Sequence, residues 1–327
     1  MIDGRKIGVV IPCFRVRSRI LGVLEKMGPQ VDAIYVVDDG CPDESGQHVL
    51  DNCRDPRVRV IRHEQNQGVG GATMTGYLAA VQGGMDIAVK IDGDGQMDPG
   101  LICAFVEPIL DGRADYTKGN RFYDPEDLKG MPAGRLLGNA VLSFMSKASS
   151  GYWNIFDPTN GYTAIRASII EYLPLDKISR RYFVETDLLF RLNLLRCRVV
   201  DIPMAAVYEG AESNLRITRV ILPFLAGHLR NFGKRISYNY FLRDFSVASL
   251  EMVVGLIATV FGAIFGGYHW ILSNQTDVPA TCGTVMISGL TLIIGIVLLL
   301  SWINFDVNSV PREAFRPFAR KGAKGTH

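Results

Sequence analysis

The chain has 327 residues, 48% of them hydrophobic and 21% charged, with a formal net charge of +2. A balance so close to neutral gives no electrostatic footprint for nucleic acid, and the apolar content excludes a disordered chain. The length suffices for a full core with an appendage, and the longest uncharged runs lie near the C-terminus.

The opening MIDGRKIGVVIP sets a basic pair before an apolar run too short for a secretory signal, so the N-terminal part is expected in the cytosol. Residues 6–12 (KIGVVIP), 34–38 (IYVVD), 58–62 (VRVIR), 87–91 (IAVKI) and 198–202 (RVVDI) are predicted as short strands. Helical patterns separate several of them, over Arg17–Met27, Gly46–Arg54 and Gly70–Val81. Such alternation predicts a mainly parallel α/β sheet covered on both faces, with ligands beyond the carboxyl ends of its strands. The first, second and fourth strands end at Pro12-Cys13-Phe14, Asp38-Asp39-Gly40 and Asp92-Gly93-Asp94, which are expected to open onto one crevice.

The stretch KIDGDGQMDP carries Asp92, Asp94 and Gln96 at alternate positions. An EF-hand loop is excluded, because Met97 and Cys103 stand where Gly and Glu are needed. Two readings stay open: a turn built from Asp and Gly, or an oxygen-ligand site for a hard cation delivered with a diphosphate. Asn66-Gln67-Gly68-Val69-Gly70-Gly71 is a poor dinucleotide-binding motif, since Thr73 replaces its third glycine and the first strand does not precede it. Its glycines serve either a phosphate at a helix N-terminus or close helix packing.

From Ile217 to Phe245 apolar residues recur at near-helical spacing between Arg219, Arg230, Lys234, Arg235 and Arg243, the pattern of helices lying in a membrane interface. Two runs follow, Phe245–Leu272 with Glu251 as its one charge and Val278–Phe305 with none, each longer than the roughly 20 residues that span a bilayer. Basic residues flank both outer ends, Arg312, Arg316, Arg320, Lys321 and Lys324 on the far side, while the connecting loop carries none. The positive-inside rule therefore puts both ends in the cytoplasm, with a multi-pass anchor in the cell (inner) membrane. Gly262 and Gly266 form a small-xxx-small pair through which another helix, including that of a homo-oligomer partner, can approach. None of the six cysteines forms a CxxC pair, and reduced structural thiols are expected.

Taken in order, VVIPCF, VVDDGCPDESG, NQGVGGA, KIDGDGQMDP, KGNRF, DPTNGYTA and YFVETDLLFR resemble the GT-A glycosyltransferases of family 2, over about residues 5–215. The branch they look like is that of polyprenyl-phosphate glycosyltransferases related to dolichol-phosphate mannose synthase, bacterial members of which carry two C-terminal spans. The resemblance implies a GT-A catalytic domain over residues 1–215, amphipathic juxtamembrane helices over 216–244, transmembrane helices within 245–305 and a basic tail over 306–327.

It also implies site roles. Pro12, Phe14, Val37 and Asp39 would line the nucleotide pocket, with Asp39 on the base or ribose. Asp92, Gly93 and Asp94 would meet the diphosphate, and Asp92, Asp94 and Gln96 its Mg²⁺ or Mn²⁺. Arg121 would bind phosphate, Arg135 the acceptor phosphate, and Glu185 or Asp187 would orient acceptor or sugar. The pattern breaks twice: Phe14-Arg15-Val16 lacks a Glu common after the first strand, and Ala206 and Asn214 stand where related synthases carry Arg and Lys, with Arg216 or Arg219 as substitutes. The implied reaction is an inverting transfer from a UDP- or GDP-sugar to a polyprenyl phosphate, its product moved by a separate flippase. Alternatives are transfer to another lipid or polysaccharide acceptor, and an inactive membrane scaffold for a flippase.

Overall fold

The computed structural model describes residues 1–123, 133–205 and 217–315. Apolar, β-branched runs form β1 (Ile7–Cys13), β2 (Ala33–Asp38), β3 (Val58–Arg62) and β4 (Ile87–Lys90), alternating with α1 (Ile20–Glu25), α2 (Ser45–Asn52) and α3 (Val69–Gln82). The chain continues through α4 (Ile102–Leu110), β5 (Tyr116–Asn120), α5 (Ala133–Ser150), β6 (Thr163–Arg166), α6 (Ala167–Ile170), α7 (Val184–Leu194) and β7 (Val199–Pro203). It ends in α8 (Ile217–Ser237), α9 (Val247–Thr276) and α10 (Cys282–Asn308).

The seven strands form one sheet in the order β3-β2-β1-β4-β6-β5-β7. β1 to β4 run parallel, β5 and β7 pair in parallel, and β6 runs antiparallel to both β4 and β5. Val9, Ile11, Val36, Val89 and Ile91 fill a core shared with residues of α1, α2 and α4, where Phe105 of α4 stacks on Tyr162 at 3.9 Å between centroids. Such a mainly parallel sheet, with one strand reversed, is the expected GT-A-like architecture. β5 and β6 are the two strands missing from the sequence prediction. Lys118, Gly119 and Asn120 give β5 the look of a loop, yet all five of its residues are buried, and the Lys118 ammonium donates to the Asn160 carbonyl.

The chain divides into two compact units, one comprising Met1–Asn231 with the chain from Pro311 onward, the other Phe232–Val310. In the second unit α9 and α10 pair as a hairpin, and both are long and apolar enough to cross a bilayer. Their close approach depends on small residues: a Cβ on Gly262 would lie 2.8 Å from the Leu292 amide nitrogen, and one on Gly295 2.5 Å from that of Thr259. Gly266 faces Ser288 of α10 in the same way. The small-xxx-small pair thus serves the hairpin itself, and gives no separate reason to expect a homo-oligomer. Glu251 accepts a hydrogen bond from Ser301 of α10 at 2.9 Å, which lowers the cost of a carboxylate in an apolar helix.

Candidate functional site

β1 lies between β2 and β4, so the carboxyl ends of three parallel strands come together where the sheet order switches direction. Pro12 and Val37 are register partners and both are buried, which makes them floor, while Phe14 is 42% exposed at the rim. Asp38 is occupied locally, accepting from the amides of Cys41 at 2.9 Å and Gly46 at 3.0 Å, and so starts the turn into α2.

Asp39 is buried and holds a neighbouring loop. One oxygen meets Gln67 N at 2.8 Å and His63 Nδ1 at 2.7 Å, and the other accepts from Gly68 N at 2.7 Å. The glycines that follow are needed for space. Gly68 has φ +88°, and Cβ atoms on Gly68 and Gly70 would lie 2.4 and 2.2 Å from the carbonyl oxygens of Arg180 and Ser179. Of the two readings left open for this motif, close backbone packing is the one the contacts support. Through it Asp39 is connected to the segment that enters α7.

Asp92, Gly93 and Asp94 follow β4 directly. The backbone amide of Gln96 donates to Asp94 Oδ1 at 3.0 Å, folding the loop back on its own carboxylate. Burial pushes the Asp94 carboxyl above its usual range, opposed by the Gln96 amide and reinforced by the Asp92 charge. Asp92 Oδ1 lies 2.9 Å from Lys90 Nζ, a pairing by distance whose angles are not those of a hydrogen bond. Among the described residues no three His, Cys, Asp or Glu side chains converge as a metal cage. The residues present nonetheless fit a hard cation arriving with a diphosphate: two carboxylates and an amide oxygen, one carboxylate disfavoured by burial in its ionised form.

On the opposite side, Arg121 pairs with the fully buried Asp157, Nε to Oδ2 at 2.7 Å and Nη2 to Oδ1 at 3.1 Å. Asp201 accepts from Phe156 N at 2.9 Å and Asn120 Nδ2 at 3.1 Å, and burial pushes its carboxyl up to about 6. Burial also lowers the Lys118 ammonium to about 8. Glu185, in the first turn of α7, lies 3.3 Å from Lys90 Nζ. Lys90, Lys118, Asp157 and Asp201 are not among the site residues that the sequence motifs imply, although a lysine inside an apolar strand such as IAVKI is itself a signal of a buried partner.

Asp187 is fully buried, with Oδ2 bound by Ser179 N at 2.9 Å and Arg191 Nε at 3.3 Å, and Oδ1 by Asn231 Nδ2 at 3.0 Å. Its carboxylate ties α7 to α8 and presents no surface to a substrate. Arg135 begins α5 but its side chain lies outside the described residues, as do Ala206, Asn214, Arg216 and the side chain of Arg219.

Comparison with known proteins matches residues 8–173 to the family described as glycosyl transferase family 2. The UDP-N-acetylglucosamine--dolichyl-phosphate N-acetylglucosaminyltransferase of Methanococcus voltae is 32% identical over 66% of this chain and 91% of its own. The undecaprenyl-phosphate mannosyltransferase of Micrococcus luteus is 31% identical over 60% of this chain and 80% of its own. Among solved structures, glucosyl-3-phosphoglycerate synthase from Mycobacterium tuberculosis with bound UDP superposes with a TM-score of 0.53 at 22% identity, covering 70% of this chain and 81% of that one. That last likeness is one of fold.

Proposed function

The chain belongs to glycosyltransferase family 2, and from that premise we propose that it moves a sugar from a nucleotide-diphosphate donor onto a membrane polyprenyl phosphate. One observation carries the reading: Asp92 and Asp94 project from the end of β4 beside the ends of β1 and β2, in a chain that continues into two apolar helices. The named relatives above support the acceptor class, since both act on polyprenyl-type phosphates by name and align over most of their length. The exposed apolar residues of α8, Leu222, Leu225 and Leu229, alongside Arg230 suit a helix lying at a lipid headgroup layer.

The chemistry follows from the charges. A phosphate oxygen of the acceptor attacks the anomeric carbon from the face opposite the leaving group, giving inversion. The bond from that carbon to the donor's diphosphate oxygen breaks, and its electron pair leaves with the nucleoside diphosphate. A phosphomonoester with a second pKa of about 6 is already ionised near neutrality, so no general base is needed. Asp92 and Asp94, with Gln96, would hold Mg²⁺ or Mn²⁺, which when bound offsets the charge growing on the leaving diphosphate. Arg121, oriented by Asp157, supplies a guanidinium for phosphate oxygens, and Glu185 positions the acceptor or sugar without taking a proton. The positive-inside pattern supports a crevice on the cytosolic face, from which a separate flippase would move the product.

The test is direct. Full-length protein in detergent, with Mg²⁺ or Mn²⁺, polyprenyl phosphate and a panel of labelled UDP- and GDP-sugars, is expected to yield organic-extractable, acid-labile lipid-linked sugar. Label appearing only on another lipid or on polysaccharide, or on no acceptor across the panel, would overturn the assignment.

A further inference from the structure

Lys90 is the single charged residue of β4, a strand flanked on both sides by β1 and β6, and it is only 3% exposed. Its ammonium lies 2.9 Å from Asp92 Oδ1 and 3.3 Å from Glu185 Oε1. A third segment is shaped around the same atom: a Cβ on Gly161, in the turn before β6, would fall 2.6 Å from Lys90 Nζ and 2.7 Å from Asp92 Oδ2. Strand, turn and helix thus enclose one positive charge between two carboxylates.

Burying an ammonium is strongly unfavourable unless it is paired, and an apolar residue would suit the strand better if packing were all that mattered. The arrangement matters for charge. Without Lys90, Asp92 and Glu185 would face each other as like charges beside Asp94, a set of carboxylates able to draw in a divalent cation unaided. With it, the nearer oxygen of Asp92 already has a counter-charge.

We propose that Lys90 is a positioning residue whose ammonium, by countering the charges of Asp92 and Glu185, keeps the adjoining Asp92–Asp94 site from holding a divalent cation unaided, so that cation binding depends on the donor diphosphate. The inference rests on the reading of Asp92 and Asp94 as cation ligands. It makes cation and nucleotide arrive together and keeps the empty site from trapping metal.

The experiment measures Mn²⁺ binding by electron paramagnetic resonance on full-length protein in detergent, with and without UDP. In the wild type, UDP tightens Mn²⁺ binding at least about tenfold. Lys90→Met tightens the UDP-free binding by about tenfold and shrinks the effect of UDP to match. Lys90→Met with Glu185→Gln, which removes one charge of each sign, returns UDP-free binding to near the wild-type value. Glu185→Gln alone leaves the ammonium wholly to Asp92 and weakens UDP-free binding. Unchanged or weaker UDP-free binding in folded Lys90→Met overturns the proposal; if that variant does not fold, unchanged or tighter binding in Glu185→Gln does so. Wild-type protein that binds no Mn²⁺ even with UDP would overturn the cation reading and this inference together. Intact coupling of Mn²⁺ to UDP without sugar transfer would overturn the proposed acceptor chemistry alone.

Discussion

Arg235 and Asp306 meet as a two-pronged ion pair, Nη1 to Oδ1 at 2.6 Å and Nη2 to Oδ2 at 3.0 Å, with only 2% and 3% of their side chains exposed. Tyr240 donates to the same carboxylate at 2.7 Å, so the end of α8 and the end of α10 are joined through one buried acid. Asp306→Ala would leave a guanidinium buried without its counter-charge. The expected loss is about 3–5 kcal/mol of stability, read by thermal unfolding in detergent. Replacing both partners, Arg235→Met with Asp306→Leu, should recover most of it, because the desolvation of two charges disappears together. A single-variant loss below about 1 kcal/mol would show that water reaches the pair.

Two buried groups of the first unit should give opposite pH slopes. Burial lowers His228 from 6.5 to about 4, so the folded state holds it neutral; its contribution is present above 6.5 and is lost as pH falls toward 4. Burial raises Asp201 from 3.8 to about 6, so the folded state keeps its proton longer; its contribution is present below 3.8 and is lost as pH rises through 6. Between about pH 4 and 6 the two oppose each other. His228→Leu should therefore make stability fall more steeply with rising pH across that window, and Asp201→Asn should make it rise. Each change approaches at most about 1.4 kcal/mol per pH unit, read by denaturant melts at each pH. Equal profiles for both variants would contradict the assignment.

Gly70→Ala tests the link from the Asp39 side of the crevice to α7. The added methyl would fall 2.2 Å from the Ser179 carbonyl oxygen, so backbone has to move. A destabilisation of about 1–3 kcal/mol is expected, together with a fall in transfer rate, because the displaced segment carries Glu185. Ordinary stability with full activity would show that the packing is slack.

Asp187→Asn should separate structure from chemistry. The amide can keep an acceptor for Ser179 N but loses the charge facing Arg191, for an expected stability loss of about 1–3 kcal/mol. Transfer per folded molecule should stay within about threefold of wild type, whereas a group touching substrate would cost about a hundredfold or more.

Much of this arrangement was legible in the chain itself. IGVVIPC, AIYVVD, VRVIR and IAVK show the parallel half of the sheet through β-branched runs, and the aspartates at or just after the ends of AIYVVD and IAVK mark the crevice because strand ends in such sheets converge. β5 and β6 escaped for physical reasons. YTKGN is buried between β6 and β7, with Lys118 satisfied by the Asn160 carbonyl across the fold, and TAIR, at four residues, is too short to display a period. Asp187 enters the candidate site through the resemblance that YFVETDLLFR carries, and local sequence does not reveal that Ser179, Arg191 and Asn231 surround it. Arg235 read as a basic membrane flank, but Asp306, 71 residues away, takes it inside.

The proposed role of Asp94, anchoring a donor diphosphate for sugar transfer to a lipid phosphate, is measured most directly by the initial rate at which label from a nucleotide sugar enters extractable polyprenyl-phosphate sugar. Wild type and Asp94→Ala are compared at equal thermal stability. Robust transfer by the wild type and a loss of at least about a thousandfold in the variant are expected. Comparable rates from the two proteins would contradict that role.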